Sequence, residues 1–429
     1  MRYKYIKDLK FFSLLFLILF LTTFCNREQK NSSETLTDDT LTDDEISLMI
    51  EKGSPLNGAK IPENIKFRLG AAHVAGKYYL TDEPYLIEGC KAIQNLGFGI
   101  VKLWFQRTSS ASDYPFNSKW NLIDNPTLVE MAMHPYFKTV FDMDFKTFVL
   151  SVRSEINFGR AMNQFATDYA QEENAMYLLA KYLFETYRER NIVFILENWE
   201  GDWLMRGGTG SDAQWTSNSY PADVGKRAQV MIHWFKARQA GVERARNEAG
   251  NTKCKIYHAI EVNKVLDCKK GIPGLTLNVL PFVKTDMVSW SCYDGLSNPV
   301  DLWHGIDYII GKMKPTKVFP GTPVMIGEIG IPENRGSVFG IPEQDGKVIK
   351  DELVKRWDRA MSVFLEKDIP YIIQWEVYCN EAKDGVKDTL TRTADQVGGF
   401  WLIRPDGTES YCASYLKRLV QNPGRTINN

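Results

Sequence analysis

Short apolar runs alternate with longer amphipathic segments along residues 61–425 of this 429-residue chain. The apolar runs, bounded by turn residues, are typical of buried strands. The longer segments carry apolar residues at helical spacing, as in Glu83–Leu96, where Leu86, Cys90 and Ile93 share one face. Alternation of this kind indicates a parallel sheet with crossover helices.

The pattern predicts eight strands and six long helices. The strands cover Lys66–Ala72, Ile100–Phe105, Thr147–Val152, Ile192–Leu196, Lys255–Ile260, Met287–Ser291, Val324–Gly327 and Tyr371–Val377. The helices cover Glu83–Leu96, Ala175–Arg190, a segment from about Pro221 to Asn247, Asp301–Met313, Glu352–Lys367 and Glu409–Leu419. Eight strand–helix units without an interrupting linker predict an α/β fold, a single (β/α)8 TIM barrel with long βα loops. Two of these loops stand out, an irregular aromatic insertion at Gln106–Asp144 and a Trp- and Gly-rich loop at Asn198–Ser219.

The first 24 residues are predicted to be a signal peptide. Four basic residues precede an apolar run, Phe11–Phe24, which is too short for a comfortable membrane span and typical of secretion signals. Cys25 follows directly, so the segment resembles a bacterial lipoprotein signal in which this Cys is lipidated. Since Phe24 stands where such signals carry a small residue, ordinary cleavage and an uncleaved anchor stay open as alternatives.

Residues 25–60 are polar and acidic, and the Leu-Thr-Asp-Asp of 36–39 recurs at 41–44. This composition predicts a lipid-anchored disordered tether, which leaves residues 61–425 as the barrel domain. The expected location is the bacterial cell envelope, with a secreted protein as the alternative. The N-terminal lipid would be its membrane contact.

Composition argues against several classes of function. The 52 Lys and Arg residues against 53 Asp and Glu give a net charge of −1, so nucleic-acid binding is not expected. The five histidines form no HxH or HExxH pair, and the cysteines after Cys25 are irregularly spaced. We therefore predict no metal site, no cofactor and no disulfide framework, although a Cys254–Cys268 bridge stays open. The expected oligomeric state is a monomer.

Carboxylates follow three of the predicted strands. Glu197 and Glu200 come at the end of strand four, Glu328 at the end of strand seven and Glu376 at the end of strand eight. Because TIM-barrel chemistry lies at the C-terminal ends of the strands, we expect these side chains at one mouth. One protonated and one ionised carboxyl group on either side of a sugar bond are what glycoside hydrolysis needs.

These segments resemble the retaining glycoside hydrolases of the large (β/α)8 superfamily that includes cellulase-like and mannanase-like family 5 enzymes. The resemblance is carried by Val324–Gly330, by Trp375–Tyr378 with Asn380, by Phe400–Ile403 before Pro405-Asp406-Gly407, and by Trp290–Tyr293. It implies Glu328 as the nucleophile and Glu200 as the catalytic acid and base. The family usually has Asn directly before the acid, whereas Trp199 precedes Glu200 here, so Glu197 stays open as the alternative.

The resemblance and the strand-end positions together predict a set of substrate-binding residues. In the family, the Trp matching Trp375 floors the sugar subsite and the Tyr matching Tyr293 hydrogen-bonds the nucleophile. Trp also offers the largest flat surface for the apolar face of a sugar ring. The full set is Trp104, Asn198, Trp203, Glu261, Asn263, Trp290, Tyr293, Trp375 and Glu376. Arg68, inside the first predicted strand, and Arg153, directly after the third, either reach the nucleophile or pair in the core.

The sequence thus predicts an exported glycosidase that cleaves oligo- or polysaccharides, with β-linked glycans as the expected substrates. Glu200 would protonate the glycosidic oxygen while Glu328 attacks, and the two carboxyl groups should lie about 5–5.5 Å apart. The identity of the sugar and the choice between endo- and exo-action stay open. The alternative from another class is a non-catalytic glycan-binding surface lipoprotein built on the same barrel.

Overall fold

The computed structural model describes residues 41–154, 169–207, 219–383, 385–386 and 393–427. Eight parallel strands close into a barrel in which the strands follow one another in chain order and the last pairs with the first. They are β1 Leu69–His73, β2 Ile100–Gln106, β3 Thr147–Arg153, β4 Val193–Glu197, β5 Lys255–Val262, β6 Met287–Ser291, β7 Val324–Ile329 and β8 Ile372–Gln374. The predicted (β/α)8 barrel is confirmed, and every predicted strand overlaps an observed one.

Helices follow the strands around the barrel. The described α-helices are α1 Asp43–Lys52, α2 Tyr85–Asn95, α3 Ser110–Asp113, α4 Leu128–Met133, α5 Pro135–Asp142, α6 Tyr169–Tyr187, α7 Gly201–Arg206, α8 Val224–Ala249, α9 Val265–Lys269, α10 Leu275–Asn278, α11 Pro299–Lys312, α12 Lys350–Glu366 and α13 Tyr411–Gln421. Two small sheets pair Lys284–Thr285 with Lys314–Pro315 and Glu343–Gln344 with Lys347–Val348. All six predicted long helices are present, as α2, α6, α8, α11, α12 and α13.

The insertion at 106–144 is folded, contrary to its predicted irregularity. It contains α3, α4 and α5. A capping box begins α4, in which Thr127 and Glu130 each accept a hydrogen bond from the backbone N–H of the other. Pro135 occupies the first turn of α5, where its missing N–H costs nothing. These helices are too short for hydrophobic periodicity to reveal them.

The side chains of the barrel strands alternate between two apolar layers. One set fills the barrel interior and includes Ile100, Val149, Ile195, Met287, Met325 and Ile373. The other set packs outward against the helices. Toward the C-terminal ends of the strands the interior positions become polar while staying buried, at Lys102, Ser151, Glu197, Glu261 and Ser289. The barrel therefore has an apolar floor beneath a buried polar layer.

Residues 42–60 belong to the folded unit, so the prediction of a tether extending to residue 60 is wrong from residue 42 onward. Helix α1 begins at a Thr42–Glu45 capping box and buries Ile46 and Ile50. Beyond it, the backbone N–H of Leu56 donates to Asp358 of α12 at 3.0 Å. Asp43 and Asp44, which are part of the acidic repeat that suggested a solvated tether, occupy the first turn of this helix, where negative charge is favourable.

The predicted signal peptide, Cys25 and the tether up to residue 40 lie outside the described residues. Within the described part of the chain, no helix combines the length and apolar character that a membrane span requires. The six cysteines after Cys25 are buried and unbridged, so a Cys254–Cys268 disulfide is not formed.

Candidate active site

Three carboxylates meet at the C-terminal ends of β4, β5 and β7. One carboxylate oxygen from each of Glu200, Glu261 and Glu328 lies within 4.8 Å of the other two. All three side chains are buried, with at most 3% of the residue exposed. The predicted pair of Glu200 and Glu328 is therefore brought together, and Glu261, which the sequence assigned to substrate binding, joins it.

A β-bulge in β7 aims Glu328 into the barrel. Between Ile326 and Glu328 the strand advances two residues while β6 advances one, and the register with β8 shifts at the same place. Bulges beside active sites commonly redirect a side chain in this way. Both Gly327 and Glu328 consequently face the interior, where Nζ of Lys102 donates to the carbonyl of Gly327 at 3.2 Å and to Oε1 of Glu328 at 2.9 Å.

Lys102 of β2 is the cation at the centre of the cluster. Its Nζ lies 2.8 Å from Oε1 of Glu197, 2.9 Å from Oε1 of Glu328 and 3.9 Å from Oε2 of Glu261. Burial alone would lower the pKa of Lys102, but the surrounding carboxylates raise it overall. The buried ammonium therefore stays charged.

Sequence reasoning missed Lys102 and looked to two arginines instead. Arg68 pairs with Asp368, and Arg153 donates to Oε1 of Gln106 at 3.4 Å. The signal that could have found Lys102 is a single charged residue inside an otherwise apolar strand, because a buried charge is retained only where a partner compensates it.

Glu200 lies directly before α7 in a left-handed backbone conformation, with φ 51° and ψ 51°. Such a conformation is costly for a residue with a side chain and is often found at functional sites. The backbone N–H of Glu200 donates to Oε2 of Glu261 at 3.3 Å. Among the described residues, Oε2 of Glu200 has no hydrogen-bond partner. Burial raises the pKa of Glu200 well above its usual value, and the charges of Glu261 and Glu328 add to this.

The other two carboxylates are also shifted, but each has a donor. Burial raises the pKa of Glu328, while the ammonium of Lys102 opposes the shift. Burial also raises the pKa of Glu261, again opposed by Lys102, and the Ser291 hydroxyl donates to its Oε1 at 2.6 Å. Glu200 is thus the member of the three best suited to hold a proton, because it lacks a direct contact with the cation.

Glu197, the alternative acid, lies one layer deeper, at the end of β4. It is fully buried, pairs with Lys102 at 2.8 Å and accepts a hydrogen bond from Oγ of Ser151 at 3.2 Å. Its carboxylate is therefore engaged below the cluster, whereas that of Glu200 is at its edge.

Asn198 and Asn263 hold the β4 and β5 ends together. Both polar atoms of the Asn198 side chain bond the backbone of Glu261, with Oδ1 accepting its N–H at 2.9 Å and Nδ2 donating to its carbonyl at 3.4 Å. The backbone N–H of Asn263 donates to Oδ2 of Asp202 at 2.7 Å, and its side chain donates to Oε1 of Glu261 at 3.5 Å. The structure therefore uses Asn198, a predicted substrate contact, to fix Glu261 relative to Glu200.

Asp202 is a further residue that sequence reasoning missed. It is fully buried, and besides Asn263 its carboxylate accepts the backbone N–H groups of Lys264 at 3.2 Å and Leu275 at 2.7 Å. This one side chain ties the turn after β4 to the segments after β5. No local pattern reveals such a role, since its partners are more than 60 residues away along the chain.

Trp290 does not line the cleft, so its predicted role in substrate binding is wrong. Its ring is fully buried against Gly305 of α11 and against Gly295 in the turn after β6, and its Nε1 donates to Asp294 at 3.1 Å. The reason is the two-residue period of a strand. In β6 the inward positions belong to Ser289 and Ser291, which places Trp290 on the helix side.

An aromatic cluster lies beside the carboxylates. The ring centroid of Trp104 is 5.2 Å from that of Trp375 and 6.4 Å from that of Trp199. Trp199 is 39% exposed, whereas Trp104 is 6% exposed. Trp199, the residue directly before Glu200, is therefore the most exposed ring of the cluster, and Trp375 is half-buried. Trp203 is largely buried in α7, with its ring 5.6 Å from Nζ of Lys264.

Tyr293 and Glu376 flank the three clustered carboxylates on the β6 and β8 sides. Burial raises the pKa of Tyr293 well above its usual value, and the nearby charge of Glu328 adds to the shift. Glu376 is fully buried and accepts the backbone N–H of Asn380 at 2.8 Å. Burial raises the pKa of Glu376 as well, followed by the charges of Glu381 and Glu328. Both residues therefore lie close enough to Glu328 for its charge to raise their pKa values.

The three clustered carboxylates also have the spacing to surround a divalent cation. The ammonium of Lys102, however, already contacts Glu328 at 2.9 Å and lies 3.9 Å from Glu261. A divalent ion would therefore face repulsion from a like charge. The donor set fits neutralisation by Lys102 and by bound protons better than it fits a metal ion.

No protein-family model and no curated protein matches this chain. It is similar to a solved GH5 xyloglucan-specific endo-β-1,4-glucanase from a metagenomic library, in complex with cellotriose, at 10% identity and a TM-score of 0.44 over 88% of this chain and 99% of that one. It is also similar to a GH5_18 protein from Bifidobacterium longum subsp. infantis, at 12% identity and a TM-score of 0.47 over 83% of this chain and 79% of that one. A third similar structure is a monomeric β-xylosidase from Caulobacter crescentus CB15, at 12% identity and a TM-score of 0.47 over 86% of this chain and 70% of that one. At these values the similarity is to the barrel and says nothing of the reaction of this chain.

Proposed function

We propose that this chain is a retaining glycoside hydrolase acting on β-linked glycans. The observation that carries the proposal is the approach of Glu200 and Glu328, each of which brings one carboxylate oxygen to within 4.8 Å of the other's at the mouth of the barrel. Retaining glycosidases hold their two carboxyl groups about 5–5.5 Å apart, whereas inverting ones leave about 6.5–9.5 Å for a water molecule. The short separation supports the retaining route, and the preference for β-linkages rests on the resemblance to family 5 enzymes.

In this mechanism Glu200 is the acid and base and Glu328 is the nucleophile. Burial and two neighbouring carboxylates favour the protonated form of Glu200, while the ammonium of Lys102 favours the ionised form of Glu328. Glu200 gives its proton to the glycosidic oxygen as Glu328 attacks the anomeric carbon, and a glycosyl-enzyme ester forms. Glu200, now ionised, takes a proton from the water that cleaves the ester.

The position of Glu197 supports Glu200 as the acid. Glu197 is held by Lys102 and Ser151 below the cluster, so its carboxylate is engaged in an ion pair. Glu200 lies at the edge, next to the exposed ring of Trp199. A sugar stacked on this ring would have its glycosidic oxygen near Glu200, because aromatic rings pack well against the apolar faces of sugars.

A panel of β-linked aryl glycosides and polysaccharides tests the proposal. We expect at least one to be hydrolysed, the first product to keep the β configuration by NMR, and Glu328→Gln to abolish turnover. Glu366→Gln, a change at an exposed residue at the end of α12, is the matched control and keeps full activity. Glycan binding without hydrolysis anywhere in the panel would support a glycan-binding lipoprotein instead, and an inverted product would exclude Glu328 as nucleophile.

We also propose that the chain is exported and anchored by a lipid on Cys25, with residues 1–24 as the signal peptide. The basic start, the apolar run and the Cys that follows it support this proposal. Labelling cells with a fatty-acid analogue should mark the full-length protein in the membrane fraction and leave Cys25→Ser unlabelled. Light scattering of the released barrel should give the mass of a monomer.

A further inference from the structure

We propose that Glu197 is a positioning residue that divides the charge of Lys102 with Glu328, so that the nucleophile is only partly neutralised. The inference rests on the proposed function, in which Glu328 attacks the sugar. Glu197 has no direct place in that reaction, because it lies below the three clustered carboxylates. It acts on the nucleophile through the shared ammonium.

The geometry of the ammonium carries the proposal. Nζ of Lys102 lies 2.8 Å from Glu197 and 2.9 Å from Glu328, so its two strongest contacts are nearly equal. All three side chains are buried, with 3% exposure at most, so water does not screen the interactions. Ser151 donates to the same oxygen of Glu197 that contacts Lys102, which fixes that carboxylate in place.

The division of charge has a chemical consequence. A carboxylate bonded to an ammonium of its own would be a weak nucleophile, and one without a cation would take up a proton in this buried site. Sharing the ammonium with Glu197 leaves Glu328 ionised and still able to attack. The charge of Glu197 accordingly raises the pKa of Glu328, whereas the charge of Lys102 lowers it.

Other titratable groups also face Glu328. They come from each strand end around it and are Glu200 after β4, Glu261 of β5, Cys292 and Tyr293 after β6, and Glu376 after β8. The charge of Glu197 also raises the pKa of Glu261, so the titration midpoints of Glu261 and Glu328 are followed together in Glu197→Gln.

The test compares Glu197→Gln with Lys102→Met. Gln keeps an oxygen that can accept from Lys102 and Ser151 and removes only the charge. The readout is the titration midpoint of the Glu328 carboxyl carbon, followed by NMR in protein with ¹³C-labelled glutamate and assigned from its absence in Glu328→Gln. We expect Glu197→Gln to move the midpoint down by about one pH unit and Lys102→Met to move it up by about one to three. The acid limb of the pH profile of kcat/KM should move to lower pH in Glu197→Gln and to higher pH in Lys102→Met. The kcat of Glu197→Gln should fall.

A midpoint that stays in place or rises in Glu197→Gln overturns the proposal. Asp286→Asn is the matched control, because Asp286 is a buried carboxylate paired with Arg246 outside the barrel interior, and it leaves the midpoint unchanged. If Glu197→Gln does not fold, Glu197→Asp takes its place. Its shorter side chain draws the carboxylate away from Lys102, so the ammonium bonds Glu328 alone and the midpoint is again expected to move down. The midpoint is measured without turnover. A wild-type protein that hydrolyses no substrate would therefore refute the proposed function, while the NMR midpoints would still decide whether Glu197 and Glu328 share the charge of Lys102.

Discussion

The backbone N–H of Glu200 donates to Oε2 of Glu261 at 3.3 Å, so the proposed acid is tied to a second buried carboxylate on the neighbouring strand. This bond fixes the turn that carries Glu200, and the like charge of Glu261 favours a proton on the Glu200 side chain. Glu261 is thus both a support and an electrostatic neighbour of the acid.

Replacing Glu261 by Gln is expected to narrow the pH range of activity from the alkaline side. The charge of Glu261 raises the pKa of Glu200, so its removal lowers that pKa, and the acid loses its proton at a lower pH. The alkaline limb of the pH profile of kcat/KM therefore moves to lower pH. An alkaline limb that moves up instead would mean that Glu200 does not hold the catalytic proton.

Substituting Glu200 should separate substrates by their leaving groups. We expect Glu200→Ala to lose about 10²- to 10⁴-fold in kcat on glycans, whose leaving groups need a proton. The first step with an activated aryl glycoside is largely spared, since a good leaving group departs unprotonated. Added azide, which needs no base to attack, restores turnover of that substrate. The same behaviour in Glu197→Ala, and not in Glu200→Ala, would reverse the assignment.

Gly327 is expected to be intolerant of a side chain. A Cβ at this position would collide with the hydroxyl of Ser289 on β6. Gly327→Ala should therefore lower the melting temperature and displace Glu328, with loss of activity. The double variant Gly327→Ala/Ser289→Ala removes the colliding oxygen and should recover part of both. If the double variant recovers neither the melting temperature nor the activity, glycine is required by the backbone of the bulge and not by the collision with Ser289.

Trp199 and Trp290 should respond in opposite ways. Trp199→Ala removes an exposed stacking surface, and KM is expected to rise up to about tenfold, as roughly 1.4 kcal/mol of lost stacking implies, with little change in melting temperature. Trp290→Phe creates space in the packing against α11, so it lowers the melting temperature and leaves KM unchanged. Activity and thermal unfolding assays on the two variants decide between a binding and a packing role for each ring.

The N-terminal boundary of the folded unit can be tested by truncation. A chain that begins at residue 42 keeps α1 and should unfold at the same temperature as the chain from Cys25. A chain that begins at residue 61 loses the buried Ile46 and Ile50, each worth about 1.5–3 kcal/mol, and should be clearly less stable. As a matched pair, Ile50→Ala should destabilise while Leu48→Ala, at a residue 54% exposed, should not.

The sequence determined the barrel and the two proposed catalytic carboxylates, because both are recorded in local patterns. A buried parallel strand is an apolar run, and the residues directly after it stand at the mouth wherever the barrel closes. That relation predicts that Glu200 and Glu328 lie at the same mouth of the barrel.

Only the tertiary structure decided which other residues reach the site. The direction of Trp290 depends on the register of β6, and the direction of Glu328 depends on a bulge that exists only relative to the neighbouring strands. Lys102 looked like an isolated charge in an apolar strand until closure of the barrel brought Glu197 and Glu328 to within 2.9 Å of it. These contacts join residues 95 to 226 positions apart, and a pattern that repeats every two or four residues carries no information about such distances.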